Sequence, residues 1–340
     1  IVNCAGRTRS IIGTQSLVNA GIPNPVSALR NGTIGWTLAG QQLEHGQARR
    51  FAEVSASTRE SAAQRARAVA DRANVARIDL AGLRQWQGET ERTTYLFDVR
   101  TPEEYEAGHL PGSRSTPGGQ LVQETDHVAS VRGARLVLVD DDGVRANMSA
   151  SWLAQMGWQV AVLDGLSAAD FSELGAWNAP LPPKPQAETI SPQTLASWLR
   201  EPGTAVLDFT ASANYVKRHI PGAAWALRSQ LKQAVAQLGN AERYVLTCGS
   251  SLLARFAVAE VEALSNKPVF LLDGGTGAWV AAGLPTEEGE SRLAAPRIDR
   301  YRRPYEGTDN PREAMQGYLD WEFGLVEQLG RDGTHGFFVI

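Results

Sequence analysis

The chain has 340 residues, enough for two or three domains that each bury a core, and its 33 Lys and Arg against 37 Asp and Glu leave a net charge of -4. That balance argues against a broad electrostatic grip on nucleic acid or anionic lipid, so neither is expected as a partner. Hydrophobic residues at 43% and charged residues at 21% exclude wholesale disorder and a collagen-like or low-complexity fibre. Cys4 and Cys248 are the two cysteines, which excludes a disulfide framework and any all-cysteine metal site and points to a reducing, cytoplasmic setting. No apolar run reaches the roughly 18 residues of a membrane span.

The sequence opens without Met, inside a strand pattern ending at Cys4, and is read as a C-terminal fragment of a longer protein. Residues 1–48 carry Val2-Asn3-Cys4 as a strand end, a helical pattern from Ser10 to Ala20 with Gly21 as its stop, and a segment Leu29 to Trp36. They form the second half of a module. Residues 49–77 are Ala- and Arg-rich and predict a linker helix between Gln47 and Val75, with Ser57-x-x-Glu60 as its capping box.

Residues 78–180 hold a complete module, in which Asp98-Val99-Arg100-Thr101-Pro102-Glu103-Glu104-Tyr105 leads to Gly108-His109-Leu110-Pro111-Gly112. Strand Arg135 to Val139 runs into Asp140, a small-residue turn and a helix Ala146 to Met156, followed by a strand Trp158 to Leu163. A Pro-rich connector, Pro180 to Pro192, leads to residues 190–290, where the pattern returns about 110 residues later. Asp208 to Tyr215 leads to Arg218-His219-Ile220-Pro221-Gly222, and Arg243 to Thr247 runs into Cys248. A helix Leu252 to Leu264, a strand Val269 to Leu272 and Leu272-Asp273-Gly274-Gly275-Thr276-Gly277-Ala278-Trp279 complete it. Alternating strands and helices predict an α/β fold of repeated modules, each a parallel sheet flanked by helices. In residues 291–340 a basic stretch, Arg297 to Arg303, precedes a helix with Asn310 as cap, Pro311 and Glu313 in its first turn and Gly330 beyond its end. Its apolar stripe, Met315, Tyr318, Leu319, Leu325, Val326 and Leu329 with Glu322 as the exception, is expected to dock on the chain's own modules.

A Cys where a strand ends and a helix begins sits among backbone N–H groups at the positive end of the helix dipole, which stabilises a thiolate, a persulfide or an anionic sulfur donor. The Asp and His-x-Pro-Gly segment, the strand-Cys-loop-helix and the Leu-Asp-Gly-Gly-x-x-Ala-Trp segment together resemble rhodanese domains, the sulfurtransferase superfamily. The resemblance implies a thiosulfate sulfurtransferase that carries sulfane sulfur as a cysteine persulfide to cyanide or a thiol, without cofactor or metal. Cys4 and Cys248 are then the catalytic candidates. In Cys4-Ala5-Gly6-Arg7-Thr8-Arg9-Ser10, Arg7 and Arg9 suit a doubly charged oxyanion, which makes this loop the better thiosulfate site.

Around Cys248 the loop Gly249, Ser250, Ser251, Leu252 and Leu253 has no charge and relies on backbone N–H groups and hydroxyls. It is similar to the loop of mercaptopyruvate sulfurtransferases but departs from it at Ser251 and Leu253, so a mercaptopyruvate-type donor is the alternative there. In the middle module Asp140-Asp141-Asp142-Gly143-Val144-Arg145 keeps the loop's form, yet a carboxylate cannot store sulfur and would repel an anion, so Asp140 and Arg145 mark a degenerate site. The same module makes a non-catalytic interaction protein the alternative from another class. A phosphatase of this fold needs Arg six residues after Cys, where Ser10 and Ala254 stand, with Arg9 one residue short and Arg255 one beyond. Asp98 and Asp208 are expected to anchor backbone N–H groups, His109 and His219 to pack, and Arg100 to pair with Glu103, Glu104 or a neighbouring loop.

Overall fold

A computed structural model describes residues 1–49, 51–239, 241–299 and 311–340, in two compact units. The first holds residues 1–178 with the C-terminal helix, and the second holds the residues between. No described helix is long and apolar enough to cross a membrane.

In the first unit β1 (Ala76–Ile78), β2 (Thr94–Asp98), β3 (Arg114–Ser115), β4 (Arg135–Val139) and β5 (Gln159–Leu163) form a parallel sheet in the order β1-β5-β4-β2-β3. The second unit repeats it with β6 (Thr189–Ile190), β7 (Thr204–Asp208), β8 (Ala224–Trp225), β9 (Arg243–Thr247) and β10 (Val269–Leu272), ordered β6-β10-β9-β7-β8. The central strands β4 and β9 are apolar runs because helices cover both faces of a parallel sheet. Side chains alternate accordingly. Leu136 and Leu138 pack with Phe97, Val160 and Val162, whereas Val137 and Val139 pack with Leu96 and Leu163. Tyr244 and Leu246 divide from Val245 in the same way.

Before the first sheet, Val2 pairs with Ala28 in a parallel bridge, and the helices Thr8–Asn19 and Gly32–Leu38 follow the Cys4 loop. Trp152 donates its indole N–H to Ser16 Oγ at 2.8 Å, tying Thr8–Asn19 to the middle module. The linker helix is shorter than its composition predicts, Ala56–Arg72, and its cap is Ser55, whose Oγ accepts from the Thr58 amide at 3.2 Å, rather than Ser57. Its small face, Ala66, Val69 and Ala70, is buried beside the helix Arg145–Gln155, where short side chains allow close approach.

The helix expected over Leu252 to Leu264 is two, Leu252–Arg255 and Val258–Ser265, because Phe256 and Ala257 donate three residues back, to Leu253 and Ala254, and tighten the turn. Past Gly289 the chain runs along β8, with Trp225 donating to the Arg292 carbonyl at 2.9 Å and Ala294 donating to the Trp225 carbonyl at 2.8 Å. The sheet edge is thereby covered. Residues 300–303 of the basic stretch and the cap Asn310 lie outside the described residues. The C-terminal helix, Pro311–Asp332, continues through Gly330 instead of stopping before it. Its inner face includes Leu319 and also Glu322, the residue that breaks the apolar stripe.

Candidate functional site

Asp98 lies opposite Val139 and Asp208 opposite Thr247 in register, so the residues after the central strands, Asp140 and Cys248, emerge at the carboxyl end of each sheet. That end is where open parallel sheets bind ligands. Cys248 is 4% exposed, beneath the exposed Gly249 and Ser250. Its carbonyl accepts from Thr276 N at 2.9 Å, and the Gly249 carbonyl accepts from Gly277 N at 2.9 Å. These donors belong to the short helix Gly275–Ala281, which buttresses the loop from behind.

A Cβ on Gly275 would lie 2.2 Å from the Cys248 carbonyl oxygen and 2.6 Å from Ser251 N, and its φ is +63°, so glycine is required twice over. With the carbonyls taken up by the buttress, the amides of Gly249, Ser250, Leu252, Leu253 and Ala254 have no acceptor among the described residues. Ser251 donates its amide to the Cys248 carbonyl at 3.4 Å, in left-handed backbone at φ 63°, and its buried Oγ has no partner among the described residues.

The Cys4 loop repeats this construction. Thr33 N donates to the Cys4 carbonyl and Ile34 N to the Ala5 carbonyl, each at 2.9 Å. Gly32, at φ +57°, stands 2.3 Å from the Cys4 oxygen by the same Cβ measure. The amides of Ala5, Gly6, Arg7, Thr8, Arg9 and Ser10 have no acceptor among the described residues, and Cys4 is partly exposed. The Arg7 guanidinium lies 4.0 Å over the Phe323 ring of the C-terminal helix, and Arg9 donates to Gln120 Oε1 at 3.2 Å. Neither pairs with a carboxylate among the described residues, so both charges remain to attract an anion.

At Asp140 the same turn is already filled. The Asp140 carboxylate accepts from Gly143 N at 3.0 Å and Ala146 N at 2.8 Å, whereas the matching amides of Arg7 and Ser10 in the Cys4 loop, and of Ala254 in the Cys248 loop, have no acceptor among the described residues. The expected repulsion of an anion is therefore also an occupation of its seat. Burial, with Asp142 close by, pushes Asp140 up to about 6. Arg145 is bound to Glu104 at 2.5 Å and Asp141 at 3.1 Å, and holds Glu104 down at about 2. Arg100 pairs with Asp98 at 2.7 Å and reaches Asp141 at 3.5 Å, and not Glu103 or Glu104, because Arg145 claims Glu104. Leu166 stands where the other loops have Gly275 and Gly32, and only a short turn, Ala168–Asp170, follows. The result is a cavity of about 460 Å³ between Arg100, Asp140, Asp141, Leu166 and Phe171.

His109 and His219 stack on Tyr105 and Tyr215 at 3.7 and 3.9 Å, with Nδ1 bonded to the tyrosine carbonyl at 2.9 and 2.8 Å. Both are buried clamps on the loop before Pro-Gly. Asp98 and Asp208 accept the amides of Arg100 and Thr210. Three features escaped the sequence reading: the glycine buttresses at Gly32 and Gly275, the Phe323 ring over Arg7, and Glu322, whose Oε1 accepts from Thr8 Oγ1 at 2.9 Å. The signal for Glu322 was its place three residues after Leu319, on the helix face that docks.

A Rhodanese-like domain model matches residues 79–166 and 191–282. The crystal structure of thiosulfate sulfurtransferase from Pseudomonas aeruginosa is 88% identical with a TM-score of 0.95, over 99% of this chain and 64% of that chain. The chain thus spans less than two thirds of that protein. The Alr3790 protein from Anabaena sp. is 25% identical over 29% of this chain and 92% of its own, with a TM-score of 0.27. No curated protein matches. Two tandem matches covering more than half of the sequence, on two sheets of one topology, place the chain in the rhodanese-like domain family.

Proposed function

We propose that the protein is a sulfurtransferase that moves sulfane sulfur from thiosulfate to cyanide or a thiol through a cysteine persulfide. The observation that carries this reading is the Cys4 turn, where, among the described residues, a partly exposed thiol precedes amides without acceptors and two arginines without carboxylate partners. The close likeness to a thiosulfate sulfurtransferase supports it. In the first step the Cys4 thiolate attacks the outer sulfur of thiosulfate. The S–S bond of the donor breaks, sulfite leaves with its electron pair, and the cysteine keeps the sulfur. Arg7 and Arg9 attract the dianion, and the loop amides with the helix dipole hold the negative sulfur. In the second step cyanide or a thiolate attacks the outer sulfur of the persulfide and releases the Cys4 thiolate. No base is required, which agrees with the clamped positions of His109 and His219.

Cys248 carries out the same chemistry in a cradle of amides and hydroxyls, and the absence of charge in its loop favours a singly charged donor such as 3-mercaptopyruvate. Asp140 cannot carry sulfur, so the middle module serves as scaffold. The test is intact mass after thiosulfate treatment, with Cys4→Ser and Cys248→Ser made separately and together. One sulfur atom should add at each remaining cysteine, and Cys4→Ser should cost more thiosulfate-to-cyanide turnover than Cys248→Ser. Activity surviving the double substitution would overturn the mechanism, and equal single losses would overturn the role of Arg7 and Arg9.

A further inference from the structure

The C-terminal helix brings a carboxylate to the Cys4 loop. Glu322 is 6% exposed, its Oε1 accepts from Thr8 Oγ1 at 2.9 Å and from the Tyr318 hydroxyl at 3.1 Å, and its buried Oε2 has no hydrogen-bond partner among the described residues. Thr8 is the first residue of the helix that follows Cys4, and its own amide is one of those without an acceptor. Phe323, the next residue, carries Arg7 over its ring, while Tyr318 approaches Gly6, within 3.4 Å of the place a Cβ would take. One turn of the C-terminal helix therefore touches the loop at Gly6, Arg7 and Thr8.

A buried carboxylate in this position has an electrostatic consequence. The loop amides and both guanidinium groups favour anions, and a carboxylate beside them opposes a dianion about twice as strongly as a monoanion and a neutral molecule not at all.

From this we infer that Glu322 is a specificity-determining residue of the Cys4 site: it weakens the loop's hold on dianions relative to singly charged and neutral sulfur compounds. The inference rests on the reading of Cys4 as a sulfur carrier and concerns which sulfur compounds that carrier admits.

The test uses the 340-residue chain with Cys248→Ser, in which Cys4 is the single thiol. Alkylation of Cys4 by anionic iodoacetate and by neutral iodoacetamide is compared with and without Glu322→Gln. The rate ratio of the two reagents cancels any change in thiolate content or general exposure. Glu322→Gln should raise the iodoacetate-to-iodoacetamide ratio about fivefold at low ionic strength, and the gain should fade toward 1 M salt. In turnover the KM for thiosulfate should fall by about the square of that factor, while the KM for dithiothreitol, which attacks as a singly charged thiolate, should fall less. An unchanged alkylation ratio, or two KM values that move together, overturns the inference and leaves Glu322 a packing residue. Failure of Cys4 to gain sulfur from thiosulfate would instead overturn the carrier reading, and the alkylation ratio would still report the charge of Glu322.

Discussion

Cys4, Asp140 and Cys248 occupy the same place in three copies of one turn, and the side chain at that place differs in what it does with the loop amides. Neither thiol accepts a loop amide among the described residues. Asp140 takes two of them for itself and at the same time bears the cost of burial, which outweighs those hydrogen bonds and raises its pKa from 3.8 to about 6. A carboxyl that is harder to ionise when folded holds its proton in the native state while the unfolded chain has lost it, so stability falls as pH rises between these values. The displacement corresponds to about 3 kcal/mol by neutral pH. Asp140→Asn should remove that slope between about pH 4 and pH 6 in denaturant unfolding of the first unit. An unaltered slope would place the titrating group elsewhere.

At the scale of elements, the Cys248 turn is held by a second element behind it. The helix Gly275–Ala281 donates from Thr276 and Gly277 to the loop carbonyls of Cys248 and Gly249, and only a residue without a side chain can begin so close to them. Gly275→Ala forces a Cβ against backbone in a left-handed conformation. It should cost the second unit about 2 kcal/mol or more, read by thermal unfolding, and should abolish sulfur loading at Cys248 while Cys4 loads as before. Loading of Cys248 at the normal rate would show that the buttress is dispensable. Much of this level was legible in the sequence. The strands around Asp140 and Cys248 and the stop at Gly157 follow from apolar runs and punctuation. The break after Arg255 and the cap at Ser55 were not, because both depend on local hydrogen bonds that compete on nearly equal terms with the ones predicted.

For the molecule as a whole, the C-terminal helix is the part whose place changes the meaning of the rest. It returns to the first unit, buries Leu319 to 1% exposure, donates from Arg312 to the Leu38 carbonyl and sets Phe323 and Glu322 at the Cys4 loop. Leu319→Ala should destabilise the first unit by about 2–4 kcal/mol through the cavity it leaves. By loosening the helix it should also speed iodoacetamide alkylation of Cys4, with Cys248, in the other unit, as the internal control. Equal rates at Cys4 before and after the substitution would mean that the helix does not shield the loop.

The amino-acid order by itself determined the repeated α/β modules, the two cysteine turns and the aspartate in the third, because strand periodicity, turn residues and the identity of one side chain are local properties. Tertiary structure alone decided that Gly32 and Gly275 are required, that Asp140 satisfies its own cradle, that Arg100 pairs with Asp98, and that Glu322 faces the Cys4 loop from a helix about 310 residues further along. Distances between backbones, and the partner that reaches a charge first, are set by packing, and no spacing along the chain encodes them.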